Sequence, residues 1–171
     1  MKRGILLLIT LFFGLTLIAQ TAEELTKTGV AKWSNEDFNG SIKDFTKAIA
    51  LNPNYADAYW GRGIAKFNLQ DFNNAIADFT KAIELKSDNA LVMLLSYLYR
   101  GESKHALKDY QGAINDYDKA IGLKPDCARA YYYRGDARLV LGLKEMGCQD
   151  YSKAGELGVP EAYDAIKKYC K

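Results

Sequence analysis

Four glycines, Gly29, Gly63, Gly101 and Gly135, recur at spacings of 34, 38 and 34 residues. Each precedes a small residue by 12 positions, at Ser41, Ala75, Ala113 and Gly147. An alanine follows seven positions later every time, at Ala48, Ala82, Ala120 and Ala154. A period near 34 carried by small side chains at fixed offsets marks stacked helical hairpins. Small side chains let paired helices approach closely. A bulkier residue at Gly63 or Ala75 would overpack that contact at a cost of about 1–3 kcal/mol. No such unit buries its apolar face alone, so each leans on its neighbours. The stack offers a surface on which something binds rather than an enclosed active site.

Lys2 and Arg3 are followed by an uncharged run from Gly4 to Ala19, rich in Leu, Ile and Phe. A basic head, an apolar stretch and a small final residue read as a secretory signal, residues 1–19, cut after Ala19. The other reading is a retained anchor, for which the run is short against the roughly 20 residues of a membrane span. No stable membrane insertion is expected after cleavage. The first cysteine is Cys127, far from the cut, so a lipoprotein anchor is not expected. The mature domain, 20–171, is expected in a periplasm or outside the cell. Loss of Lys2 and Arg3 lowers the formal net charge from +2 to 0. A neutral chain lacks the basic field that holds nucleic acid and a polybasic patch for anionic membranes. With 49% hydrophobic and 26% charged residues, the chain is a folded one.

Aligned on the glycines, the chain divides into 22–55, 56–89, 94–127 and 128–161. An aromatic or leucine lies four residues before each glycine (Leu25, Tyr59, Tyr97, Tyr131). Asp-aromatic pairs follow at Asp37-Phe38, Asp71-Phe72 and Asp109-Tyr110. An aromatic precedes each second alanine by three (Phe45, Phe79, Tyr117, Tyr151), and Pro53 and Pro125 end two units. Together these residues resemble the tetratricopeptide repeat (TPR). The resemblance implies an all-α fold, a right-handed α-solenoid of about four hairpins with a concave inner face. A capping helix over about 160–171 is expected to turn Lys167, Lys168 and Lys171 to water. The fourth unit departs from the motif, with Gly142-Leu143-Lys144 in place of the Asp-aromatic pair. The third carries four extra residues between Asn89 and Leu94. Four residues are close to one helical turn, so a longer first helix is expected. The other reading is an apolar lip of Leu91, Val92, Leu94 and Leu95 that serves a partner.

The resemblance puts the inner face at fixed offsets from each glycine. It implies a partner-binding groove of Trp33, Trp60, Ile64, Phe67, Glu102, His105, Tyr132 and Asp136. Aromatics of this kind anchor partner chains, although Phe67 and Trp60 also read as packing between repeats. Some family members clamp a peptide carboxylate with basic residues and asparagines. Here the positions are mostly apolar or acidic, so an apolar or basic protein segment is the expected ligand. Arg62, Arg100 and Arg134 precede their glycines, and Asp44, Asp78, Asp116 and Asp150 precede the second alanines by four. A ladder of Arg–Asp contacts is expected, against solvated charges on an outer face.

His105 is the sole histidine and by itself builds neither a metal cluster nor a triad. There is no glycine-flanked nucleophile motif and no phosphate-binding loop. No enzyme, cofactor or metal is therefore expected. Cys148 sits near the start of the last second helix and Cys170 near the end of the following one. An antiparallel arrangement joins those ends, so a Cys148–Cys170 bond is expected in an oxidising compartment. Free thiols, or Cys127 as a partner, are the other readings. The functional expectation is an exported, non-catalytic scaffold for a protein or peptide segment. The alternative is a structural subunit of a cell-envelope assembly that uses its outer face and the apolar 91–95 segment. Exposed ends of such arrays also allow self-association.

Overall fold

The first three hairpins turn on a short hinge that carries an aspartate. The structure, a computed structural model, describes residues 21–171. The segment read as a signal lies outside them. Residues 21–34 are helical (α1), and α2 (Phe38–Leu51) returns beside them. Then follow α3 (Ala56–Asn68), α4 (Phe72–Glu84), α5 (Ala90–Ala106), α6 (Tyr110–Leu123), α7 (Ala128–Val140), α8 (Lys144–Glu156) and α9 (Glu161–Tyr169). Among the described residues the chain is an all-helical solenoid of four hairpins and a closing helix.

Asp37, Asp71 and Asp109 are the N-caps of α2, α4 and α6. The first and third accept the amides of Gly40 and Gly112 at 2.9 Å each, satisfying donors that a helix start leaves open. The residue before each cap is left-handed: Glu36, Gln70 and Lys108, with φ of 61°, 60° and 64°. In the fourth hairpin that position is Gly142, φ 79°, and the cap is Leu143, which offers no side-chain bond. The departure from the motif is thus an exchange. The left-handed position gains a residue that adopts this conformation without strain, and the cap next to it loses its carboxylate.

Within a hairpin, the recurring glycine receives the buried aromatic of the second helix. A Cβ on Gly63 would lie 2.8 Å from the Phe79 ring, and one on Gly101 2.7 Å from Tyr117. Phe45, Phe79, Tyr117 and Tyr151 are all buried. Each contributes about 1.5–3 kcal/mol of apolar burial.

The charged ladder forms inside the stack. Arg62 donates to both oxygens of Asp78 at 2.9 and 2.7 Å, Arg100 to those of Asp116 at 3.0 and 2.6 Å, and Arg134 to those of Asp150 at 3.0 and 2.6 Å. A second cation one turn later, Lys66, Lys104 or Arg138, joins each aspartate at 2.7 Å. In the first hairpin Thr28 replaces the arginine, and Asp44 is held by Thr28 at 3.1 Å and Lys32 at 2.6 Å. The arginines also reach the preceding hairpin, at Thr46, Thr80 and Asp118. Each rung therefore closes one hairpin and ties it to its neighbour.

The added residues of the third unit lengthen its first helix. α5 has 17 residues where α3 and α7 have 13. Val92 and Leu94 are buried and Leu95 is half-buried, leaving only Leu91 exposed among the four residues of the expected lip. At the far end, Ala162 and Ala165 of α9 pack on Tyr151 and Ala154. Cys148 and Cys170 are bonded, with Cα atoms 5.8 Å apart, and Cys127 is a free thiol. Lys167, Lys168 and Lys171 are exposed. First helices touch along the stack, α3 with α5 and α5 with α7, with no comparable contact between α2 and α4 or α4 and α6. The first helices therefore line the inner side of the curve.

Candidate partner-binding face

One column of the inner face changes chemistry along the stack. The residue after each recurring glycine is Val30, Ile64, Glu102 and then Asp136. The first two hairpins present hydrocarbon there and the last two present carboxylate.

The apolar half is a cavity of about 220 Å³ walled by Val30, Trp33, Trp60, Ile64, Leu95 and Tyr99. Trp33 is exposed, and the buried indole N–H of Trp60 has no hydrogen-bond partner among the described residues. Gly61 and the Phe45 ring complete its lining. In the next two hairpins the matching positions are Tyr99 and Tyr133, which stack on Phe79 and Tyr117 with ring centroids 6.1 and 6.3 Å apart. A glycine in place of that tyrosine keeps this hollow open. A Cβ at Gly61 would lie 2.4 Å from Phe45. Gly61→Ala should therefore cost about 2 kcal/mol in urea unfolding, net of the gain in helix propensity. Gly122→Ala, where no atom lies within 4 Å, should raise stability by about 0.5–1 kcal/mol. Equal effects at both glycines would refute this packing argument.

The polar half is organised around Glu102 and Asp136. Glu102 is buried and takes Arg129 at 2.7 Å on one oxygen, while its Oε1 has no partner among the described residues. The guanidinium of Arg129 lies 4.9 Å from the Tyr99 ring centroid and 5.7 Å from that of Tyr133. Burial pushes the Glu102 carboxyl up to about 7, against the opposing attraction of Arg129. Between the ordinary value near 4.5 and about 7, the folded state then holds a proton that the unfolded state has lost. Stability should fall as pH rises through that window, by about 3 kcal/mol. Glu102→Gln should flatten this slope in denaturant melts taken from pH 4.5 to 8. A slope that persists would assign it to another group.

The expected groove residues fall into separate places. Trp33, Trp60 and Ile64 share the apolar cavity. Phe67 packs edge-on against Phe72 and Tyr99, at 5.6 and 5.2 Å, and walls a second hollow of about 220 Å³ with Glu102, His105 and Tyr133. His105 also walls a third, of about 590 Å³, with Asp136, Leu139, Tyr151 and Tyr169. Burial lowers the His105 pKa and raises that of Asp136, which accepts the Tyr151 hydroxyl. Tyr132 stands apart, half-buried against Tyr133 and Tyr151, in a hollow with Arg129, Val159 and Glu161. Gly61, Tyr99, Tyr133 and Tyr169 were missed by the offset rule. The first three share one position, two residues before the recurring glycine, and comparing hairpins there would have exposed them.

Among the described residues no group of three or more His, Cys, Asp or Glu side chains is placed to hold a metal, and no helix is long and apolar enough to cross a membrane. A family model for the TPR repeat matches residues 31–70 and 101–142, and a second, for the tetratricopeptide repeat, matches 56–89. This chain belongs to the tetratricopeptide repeat family. The TPR array resembles solved structures of the same fold. MamA is 25% identical with a TM-score of 0.78, over 86% of this chain and 79% of its own. The TPR domain of Arabidopsis OM64 is 28% identical with a TM-score of 0.67, over 72% and 98%. The first TPR domain of Spaghetti (RPAP3), solved bound to the HSP90 peptide SRMEEVD, is 23% identical with a TM-score of 0.68, over 72% and 95%, a likeness of fold alone. No curated protein matches this TPR chain.

Proposed function

We propose that this chain is an exported, non-catalytic scaffold that holds an extended segment of a partner protein against its inner face. The observation that carries this reading is the apolar cavity over Gly61. Two tryptophans frame it, and one buried indole N–H there awaits an acceptor. Aromatic side chains in such a pocket supply large contact area at low entropic cost. The groove chemistry differs from what the acidic peptide SRMEEVD would need. The inner-face carboxylates would repel it, and Arg129 is already committed to Glu102. Export is supported by the basic-apolar N-terminus and by the Cys148–Cys170 bond, which belongs in an oxidising compartment. N-terminal sequencing of the mature protein should begin at Gln20.

Trp33 and Trp60 are the chain's only tryptophans, so their emission reports on the cavity directly. A segment purified by crosslinking from the native envelope and returned to the protein should shift that emission to the blue. Trp60→Ala should weaken its binding by about tenfold or more. Capture that is indifferent to Trp60, with no change in emission, would move the interface to the outer surface.

A further inference from the structure

Every acid buried in this array is neutralised from within. Asp44, Asp78, Asp116, Asp150 and Glu102 each have a lysine or arginine nitrogen at 2.6–2.7 Å. Two half-buried acids lack such a cation: Asp57, which accepts the Ser87 hydroxyl, and Asp136. Asp136 lies in the cavity shared with His105, Leu139, Tyr151 and Tyr169, and its hydrogen bond comes from the Tyr151 hydroxyl. No lysine or arginine among the described residues reaches ion-pair distance of it. Lys144, on the rim, donates instead to the main-chain oxygen of Lys171 at 2.7 Å. An independent observation lies across His105, in the adjoining hollow. There Glu102, 7% exposed, carries Oε1 buried and without a partner, and Nε2 of His105 is likewise buried and unpartnered. Two carboxylates and the unpartnered Nε2 of His105 thus border two hollows with a common wall, amid Tyr133, Tyr151 and Tyr169. Unpaired buried acceptors are costly. A guest with several N–H donors and a positive charge would satisfy them, and aromatic faces add attraction for a cation.

We propose that the inner face between the third and fourth hairpins receives the cationic head of a lysine or arginine from the partner segment. This rests on the groove reading above and gives it direction, with an apolar residue of the segment over the first two hairpins and a basic one over the last two. Neighbouring first helices stand about 8–10 Å apart, so the two subsites lie roughly 16–20 Å from one another. At about 3.3 Å per residue, about five or six residues of extended chain separate the two anchors. Arg129 does not oppose the guest, because its charge is already met by Glu102.

The test is a selection of random dodecapeptides on the purified full chain, in parallel with Asp136→Asn, Asp136→Lys and Trp60→Ala, each checked for an unchanged thermal melt. The wild type should enrich peptides with a lysine or arginine about five or six residues from an aromatic or aliphatic residue. Acetylating that lysine in a selected peptide should weaken binding by about tenfold or more, a readout independent of any protein variant. Asp136→Asn should lose the basic preference and keep the apolar one, and Asp136→Lys should favour an acidic residue instead. Enriched peptides without a basic preference, or with one that survives Asp136→Asn, would overturn the cation subsite and leave the groove standing. Enrichment that is absent, or indifferent to Trp60→Ala, would overturn the groove reading and this one with it.

Discussion

Asp78→Ala should lower the unfolding free energy by about 3–5 kcal/mol. Asp78 is buried, and it accepts two bonds from Arg62 and one from Lys66. Its removal leaves two cations, each with 18% side-chain exposure, facing one another without an anion. Arg62→Met should cost less, because Lys66 still meets the carboxylate. The Asp78→Ala/Arg62→Met double variant should then lose less than the sum of the two, by about 0.5–3 kcal/mol of coupling. Urea unfolding of all four proteins reads this directly, and strictly additive losses would refute the rung. Arg62 also bonds Thr46 of the preceding hairpin at 3.2 Å. The loss should therefore spread across the first two hairpins instead of staying in one.

Converting Cys148 and Cys170 to serine should cost about 3 kcal/mol, from the chain entropy released by opening a loop of 22 residues. The loss should be local. An array in which each hairpin touches only its neighbours opens from its ends. The serine variant should therefore show faster amide exchange in α8 and α9, with α3 to α6 little changed. Uniform acceleration over the whole chain would mean that the bond stabilises the array as one cooperative block.

The offsets of Gly29, Gly63, Gly101 and Gly135 were sufficient to read the hairpins, because steric contact between paired helices repeats with the chain. The same periodicity exposed the Arg–Asp rungs, since a residue that holds every hairpin must recur in every hairpin. The longer α5 was legible for a related reason, as four residues add one turn and keep the helix faces in register. Residues that deviate from the repeat were harder to judge. Leu91, Val92, Leu94 and Leu95 look alike as an apolar string, yet three of the four are buried or half-buried. Burial depends on the neighbouring hairpin, which a local pattern does not contain.

The inner face shows the same division. Sequence alone determined that the chain stacks helical hairpins, where the buried aromatics and charged rungs recur, and which helix face varies from hairpin to hairpin. Those follow from short-range geometry repeated about every 34 residues. Only the tertiary structure decided that Gly61 opens a cavity over Phe45, that Arg129 is consumed by Glu102, and that Asp136 is left without a cation. Each of these depends on which side chains from different hairpins converge in space, and on how many charges and donors they bring to one another once water is excluded.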